Sequence, residues 1–282
     1  MSPSAQEPAP DRAAEAPWWL VPFGLAVGLT GSLAGVGGGL FATPLLQFVL
    51  GYPLKVAAAT ALVLVFATTS SATVTELLQP ESALALGVVL PLVLGVLVGA
   101  QLGFHVAQRI RTRPLQLLFV LFLLLSASRI FFGGPTPAPE AGAWSVTTVE
   151  AIQAGLVGLC GGFVAPLLGI GGGLLMVPGL LLVLPQLGFA GARAGSLAAG
   201  AFASARSLRL HAKAGRVRWA AGLRLGAGAL VGSVIGVNLV HLPGLRDVGR
   251  PIIGFILVFV ATRFVWALVR REDEESETPT RS

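Results

Sequence analysis

The chain has 282 residues, 54% hydrophobic and only 11% charged, with a mean hydropathy of +0.82. Soluble domains carry about 25% charged residues, so this composition excludes an ordinary soluble protein and predicts an all-α polytopic membrane protein. The net charge of +6 is no nucleic-acid signal, because most Lys and Arg stand in short loops beside apolar runs. A single cysteine, Cys160, excludes an internal disulfide or a thiolate metal cluster. The three histidines, His105, His211 and His241, lie at the edges of apolar runs. That argues against a metal or haem site, and no cofactor is expected.

Residues 1–17 are polar and rich in Pro and Ala, and read as a disordered tail. They lack the basic start and short apolar core of a cleaved signal peptide. The first repeat, residues 18–132, carries apolar runs at 18–50, 54–78, 83–104 and 115–132. A Pro/Gly-rich linker, 133–148, separates it from the second repeat, 149–271, with runs at 149–184, 190–210, 219–240 and 252–269. The acidic end, 272–282, is expected to be disordered. Roughly 20 residues span a bilayer, so six of these eight segments read as single crossings. The first segment of each repeat is longer than one crossing needs.

Both long runs contain the same interruption: Gly35-Val36-Gly37-Gly38-Gly39 ahead of Pro44, and Gly169-Ile170-Gly171-Gly172-Gly173 ahead of Pro178. Gly costs a helix roughly 1 kcal/mol per position relative to Ala, so a triplet predicts a break. A break repeated in two halves points to a transporter's substrate site. Each leaves a fresh helix N-terminus whose unpaired N–H groups attract anions. The alternative is that the glycines serve tight helix packing. The echo continues in Gly95, Gly99 and Gly103 against Gly228, Gly232 and Gly236, a spacing that lets helix backbones approach closely. Ala127-Ser128-Arg129 likewise resembles Ala261-Thr262-Arg263.

Charge counting distinguishes inverted from parallel repeats. If each broken run enters and leaves on one side, the repeats are inverted. With a cytoplasmic N-terminus the inside then carries Arg12, Lys55, Arg109, Arg111, Arg113, Lys213, Arg216, Arg218, Arg270 and Arg271, and the outside only Arg193, Arg246 and Arg250. Were the broken runs single crossings, the same residues would divide almost evenly. The positive-inside rule therefore favours two inverted-topology repeats with both termini cytoplasmic and the linker outside, in a multi-pass protein of the cell (inner or plasma) membrane.

Candidate substrate-binding residues are Gly37, Gly38, Gly39, Gly171, Gly172 and Gly173 at the breaks, with Thr60 and Ser196, which match between the halves, starting the helices that follow. Hydroxyls there either donate to an anion or bond within the bundle. Arg263, deep in its run, makes either a substrate contact or a structural pair, whereas Arg129 lies close enough to its run end to snorkel. Arg206 and Arg209 read as interface anchors. No Asp or Glu lies deep in an apolar run, which favours an anionic solute and leaves no buried base for an intramembrane enzyme.

The twin G-x-G-G-G-x(4)-P segments, the small-residue helix after each, and the basic turn 213–219 leading into a Gly-spaced helix resemble the TauE/SafE sulfite-exporter permeases over residues 20–270. The resemblance implies a transporter, not an enzyme, that exports sulfite, sulfonates or related sulfur oxyanions. An anion channel or an importer of another small anion is the competing reading. Expected partners are a small anionic solute and the lipid bilayer, with no nucleic acid; self-association into a homo-oligomer is left open. Arg206 and Arg209 depart from the mostly small and apolar residues expected in that segment.

Overall fold

The computed structural model describes residues 16–106, 146–168, 173–242 and 251–262, plus a few isolated positions between them. Every element among them is helical: α1 (Leu20–Ala34), α2 (Gly39–Phe48), α3 (Leu54–Leu77), α4 (Leu86–Val106), α5 (Thr148–Leu168), α6 (Gly173–Val183), α7 (Gly188–Lys213), α8 (Trp219–His241) and α9 (Pro251–Thr262). The linker up to 145, both tails, Gly169, Gly171, Gly172, Arg129 and Arg263 lie outside the described residues.

The first glycine cluster breaks the chain as its composition predicts. Gly35 caps α1 at φ 77°, with its N–H bonded to the Gly31 carbonyl, and Gly37 and Gly38 follow at φ 77° and 81°. A side chain at any of the three would sit in the left-handed region, which costs an L-residue roughly 1–2 kcal/mol. Three such turns within four residues fold the chain back, so that Gly31 lies against Gly37 and Gly38. Beyond the second break, the short helix α6 meets the 185–213 segment at 107°, the bend falling at Leu184.

Close glycine contacts set the directions of the helices. Gly24 and Gly28 of α1 face the Leu225 and Ala229 backbones of α8, while Gly228, Gly232 and Gly236 face Val21, Leu25 and Leu29 in turn. Both series ascend together, so α1 and α8 run parallel. Gly95, Gly99 and Gly103 of α4 climb the 155–163 stretch of α5 in the same way. Helix α3 runs parallel to α8, with Gly222 at Val63, Ser71 at Ser233 and Gln79 at Asn238. Against α7 it runs antiparallel, with Glu76 at Arg193 and Thr69 at Gly200 and Ser204. Helix α4 runs with α7, with Leu92 at Gly195 and Gln101 at Arg206. One set, α1, α3 and α8, therefore points one way, and the other, α4, α5 and α7, points the opposite way.

Three helices, Leu54–Leu77, Leu86–Gly103 and Trp219–His241, are long and apolar enough to cross a membrane, and a fourth span results if the bent pair counts as one. The sequence predicted six. Of those six, the run at 190–210 counts only as part of the bent pair, 252–269 is described over only part of its length as α9, and 115–132 lies mostly outside the described residues. Exposed Leu86, Leu90, Leu94, Val98 and Leu102 form an apolar stripe along α4, the surface a lipid-facing helix presents.

Candidate functional site

The described end of the second break, Gly173, meets the first break. A Cβ on Gly173, the first residue of α6, would stand 2.8 Å from the Gly35 carbonyl oxygen and 3.0 Å from the Val36 Cα. Ser196 of α7 ties them together: its Oγ donates to the Gly35 carbonyl at 2.9 Å and lies 3.4 Å from that of Gly173. Gly37 packs on Val65 and Thr69 near the middle of α3, and Gly38 on Val27 and Leu64. Gly39 is buried at the start of α2. The first break and Gly173, the described end of the second, thus occupy the interior of the bundle, where unpaired backbone is tolerated because protein surrounds it.

Thr60 is engaged elsewhere, for a reason of register. It lies six residues beyond the start of α3, whereas Ser196 lies eight beyond the start of α7. Two residues on an α-helix turn the side chain about 200°. Ser196 therefore faces the breaks, while Thr60 Oγ1 accepts the Arg218 N–H at 3.1 Å, capping α8. Neither residue starts its helix, as the sequence reading had it: α3 begins at Leu54 and α7 at Gly188.

Beside the junction is an ion pair that the sequence reading missed. Arg193 is fully buried; its Nη2 donates to Glu76 Oε2 at 2.6 Å and its Nη1 to the Ser32 carbonyl at 3.3 Å. Its stem lies against α1, with Cα and Cγ each 3.1 Å from where a Gly35 Cβ would stand. Glu76, equally buried, also accepts the Ala83 N–H at 3.1 Å and lies 3.2 Å from His241 Nε2. Arg193 Nε and His241 Nε2 are buried without a hydrogen-bond partner.

Three expectations change. Arg193 is not an outside loop residue, because α7 starts five residues before it, so it leaves the loop charge count. A carboxylate is buried in the bundle, so the expectation of none, and its use in favour of an anion, does not hold. Glu76 with His241 also removes the ground on which an intramembrane enzyme was set aside. The sequence signal was available: one acid in the last turn of an apolar helix and one base among Ala and Gly are each expensive unless they find each other.

Arg206 bonds the Gln101 side chain on α4. Together with Arg209, Lys213, Arg216 and Arg218 it lies toward the end of the bundle where α7 finishes and α8 begins.

The description "Sulfite exporter TauE/SafE" matches residues 1–130 and 154–282. The chain belongs to this family. It is a membrane transporter by that membership, and the apolar helices are those of a multi-pass protein. Two curated relatives, from Xylella fastidiosa strains Temecula1 and 9a5c, are each called "Probable membrane transporter protein". Each is 28% identical over 244 residues, covering 85% of this chain and 91% of the relative. No solved structure matches the chain. Within the TauE/SafE family, then, the glycine breaks are part of a transporter, and their meeting point is its candidate substrate site.

Proposed function

We propose that the chain is a secondary transporter exporting small sulfur oxyanions such as sulfite or sulfonates across the cell membrane. The observation that carries this reading is the junction of the two Gly-broken segments, with Gly173 against Gly35–Val36 and Ser196 bonded to the Gly35 carbonyl. Helix α6 starts at Gly173 in the junction itself, and α2 starts at Gly39, three residues beyond Val36. Helix starts bind anions through free N–H groups and a partial positive charge. In this reading Gly37, Gly38, Gly39, Gly171, Gly172, Gly173 and Ser196 belong to the solute site, and Arg263, outside the described residues, is a further candidate contact.

Helix directions support a pair of inverted repeats. A constant offset of 134 residues relates the starts of α2 and α6, and those of α3 and α7. Under it α1 pairs with α5, α3 with α7, and α4 with α8, and the two members of every pair point in opposite directions. Because α1 and α3 point the same way, α2 returns the chain to its side of entry, as a re-entrant hairpin does. Lys55, Arg209, Lys213, Arg216 and Arg218 gather where α3 begins and α7 ends. Positive charge favours the cytoplasm, so that end, from which α1 also starts, is assigned inside.

The test is flux into vesicles reconstituted with the purified protein, using labelled sulfite and labelled isethionate with sulfate as competitor. Saturable flux, accelerated by trans anion and inhibited by sulfur oxyanions, is expected. Flux that never saturates would make the protein a channel, and indifference to every sulfur anion would overturn the substrate class.

A further inference from the structure

Glu76 and Arg193 are the two fully buried charged side chains among the described residues, and the solute path as read above uses neither. Building on the transporter reading, we propose that Arg193, Glu76 and His241 form a proton-linked anion site. Protonation of His241 at Nε2 engages the Glu76 carboxylate and frees the Arg193 guanidinium to hold one oxyanion at the junction of the breaks.

Geometry supplies each part. Arg193 already touches the break, through its stem at Gly35 and its Nη1 at Ser32. Its Nε is buried with no partner, and an unmet buried donor costs about 1–3 kcal/mol. An oxyanion at the break would satisfy it, and a guanidinium presents paired donors that match two oxygens of one anion. On the other side, His241 Nε2 stands 3.2 Å from Glu76 Oε1 without hydrogen-bond alignment. The acceptor for an added proton is thus already in place. The His241 side chain is 20% exposed, so protons reach it from the end of the bundle that carries the 79–84 turn.

Charge decides the order of events. With neutral His241 the cluster sums to zero, and an arriving anion would meet an Arg already balanced by Glu76. With protonated His241 the cluster carries a net positive charge in a poorly solvated interior, a cost that a bound anion removes. Each ligand therefore improves the site for the other, a reciprocal coupling. In the step, a proton from water bonds to Nε2, an Nε2–H···Oε1 hydrogen bond forms, and the Nη2–H···Oε2 bond to Arg193 opens. When the anion leaves, the proton returns to water. Among the described residues, the charged and titratable groups facing Glu76 are Arg193 from α7 and His241 from α8; the Ser32 carbonyl of α1 bonds Arg193, and Glu81 in the adjoining turn is exposed.

The test is calorimetric titration of purified full-length protein with isethionate, whose sulfonate stays ionised throughout, in buffers of different ionisation enthalpy. Net proton uptake on anion binding is expected, together with an apparent Kd that rises with pH. His241→Gln should take up almost none and bind with a flat pH profile. Glu76→Gln, whose side chain cannot neutralise Arg193, should also bind independently of pH. Uptake-free binding by the native protein, or undiminished uptake by His241→Gln, overturns the coupling and leaves the transporter reading standing. Absence of binding by isethionate, sulfite and thiosulfate alike at millimolar concentration overturns both.

Discussion

Gly38→Ala separates two things a glycine can do at a break. The added methyl would meet Val27 Cγ1 at 2.5 Å and Leu64 Cδ2 and the Val27 carbonyl at 3.2 Å, on a backbone with φ 81°. The left-handed conformation costs roughly 1–2 kcal/mol for any Cβ, and overpacking a tight interior adds typically 1–3 kcal/mol. Gly51 and Gly215 are matched controls: their φ values are 68° and 66°, but a Cβ at either meets nothing within 4 Å. Subtracting their cost from that of Gly38→Ala leaves the packing contribution at the break, about 1–3 kcal/mol. The assay is thermal unfolding of the purified variants in one detergent, with isethionate affinity measured on whatever remains folded. Gly38→Ala should melt clearly below both controls and bind the anion more weakly. If it melts with them, the break has slack that the structure denies, and the close approach of α1, α2 and α3 does not define the site.

Ser196→Ala removes the hydroxyl that joins the breaks and leaves the buried Gly35 carbonyl short of a partner, a loss of about 1–3 kcal/mol that thermal unfolding should register; an unchanged melting temperature would sink the bridging role. Arg193→Met alone strands a buried Glu76 and should cost about 3–5 kcal/mol, whereas Arg193→Met with Glu76→Leu should recover most of that, since apolar replacement of a whole buried pair is often neutral. A double variant no better than the single one would mean that the two residues do not act as a pair. For orientation, Ser82→Cys should react with an impermeant thiol reagent on intact cells and Gly215→Cys should not, both in a Cys160→Ser background because Cys160 is exposed; the reverse pattern would turn the bundle over.

Much of the architecture is written in the glycines. The break at Gly35–Gly38 follows from residue type, and the i, i+4 glycines of α4 and α8 mark a close-packing face on each, though not the helix that fills it. What escaped the sequence is what depends on partners distant along the chain. Glu76 and Arg193 each read as edge residues because each lies near the limit of its own apolar run; only the antiparallel packing of α3 on α7 places one against the other. Thr60 and Ser196 match by chemistry and by their place in corresponding helices of the two halves. A two-residue difference in register, invisible to composition, sends them to opposite faces.

The same register shows where the proposed symmetry fails. Under the constant offset that aligns the helix starts, Arg193 of α7 corresponds to Ala59 of α3, and both are fully buried. Glu76 corresponds to Leu210, which is exposed. In the proposed duplication the helix starts repeat, but the charges do not. The ion pair also spans α3 and α7, the two helices that the offset makes equivalents of each other. Their interface is otherwise built of small contacts, such as Gly200 at Thr69, Thr69 at Ser204 and Ala72 beside Leu197. Such contacts let helices slide at modest cost, whereas a buried charge pair tolerates little displacement before one charge is left alone. One polar link across a yielding interface has the properties of a two-state element: it holds one arrangement while Arg193 and Glu76 are joined and permits another once a proton and an anion take their places. Placing that link on a single pair, not on two symmetric ones, confines the coupling to one proton and one anion per cycle.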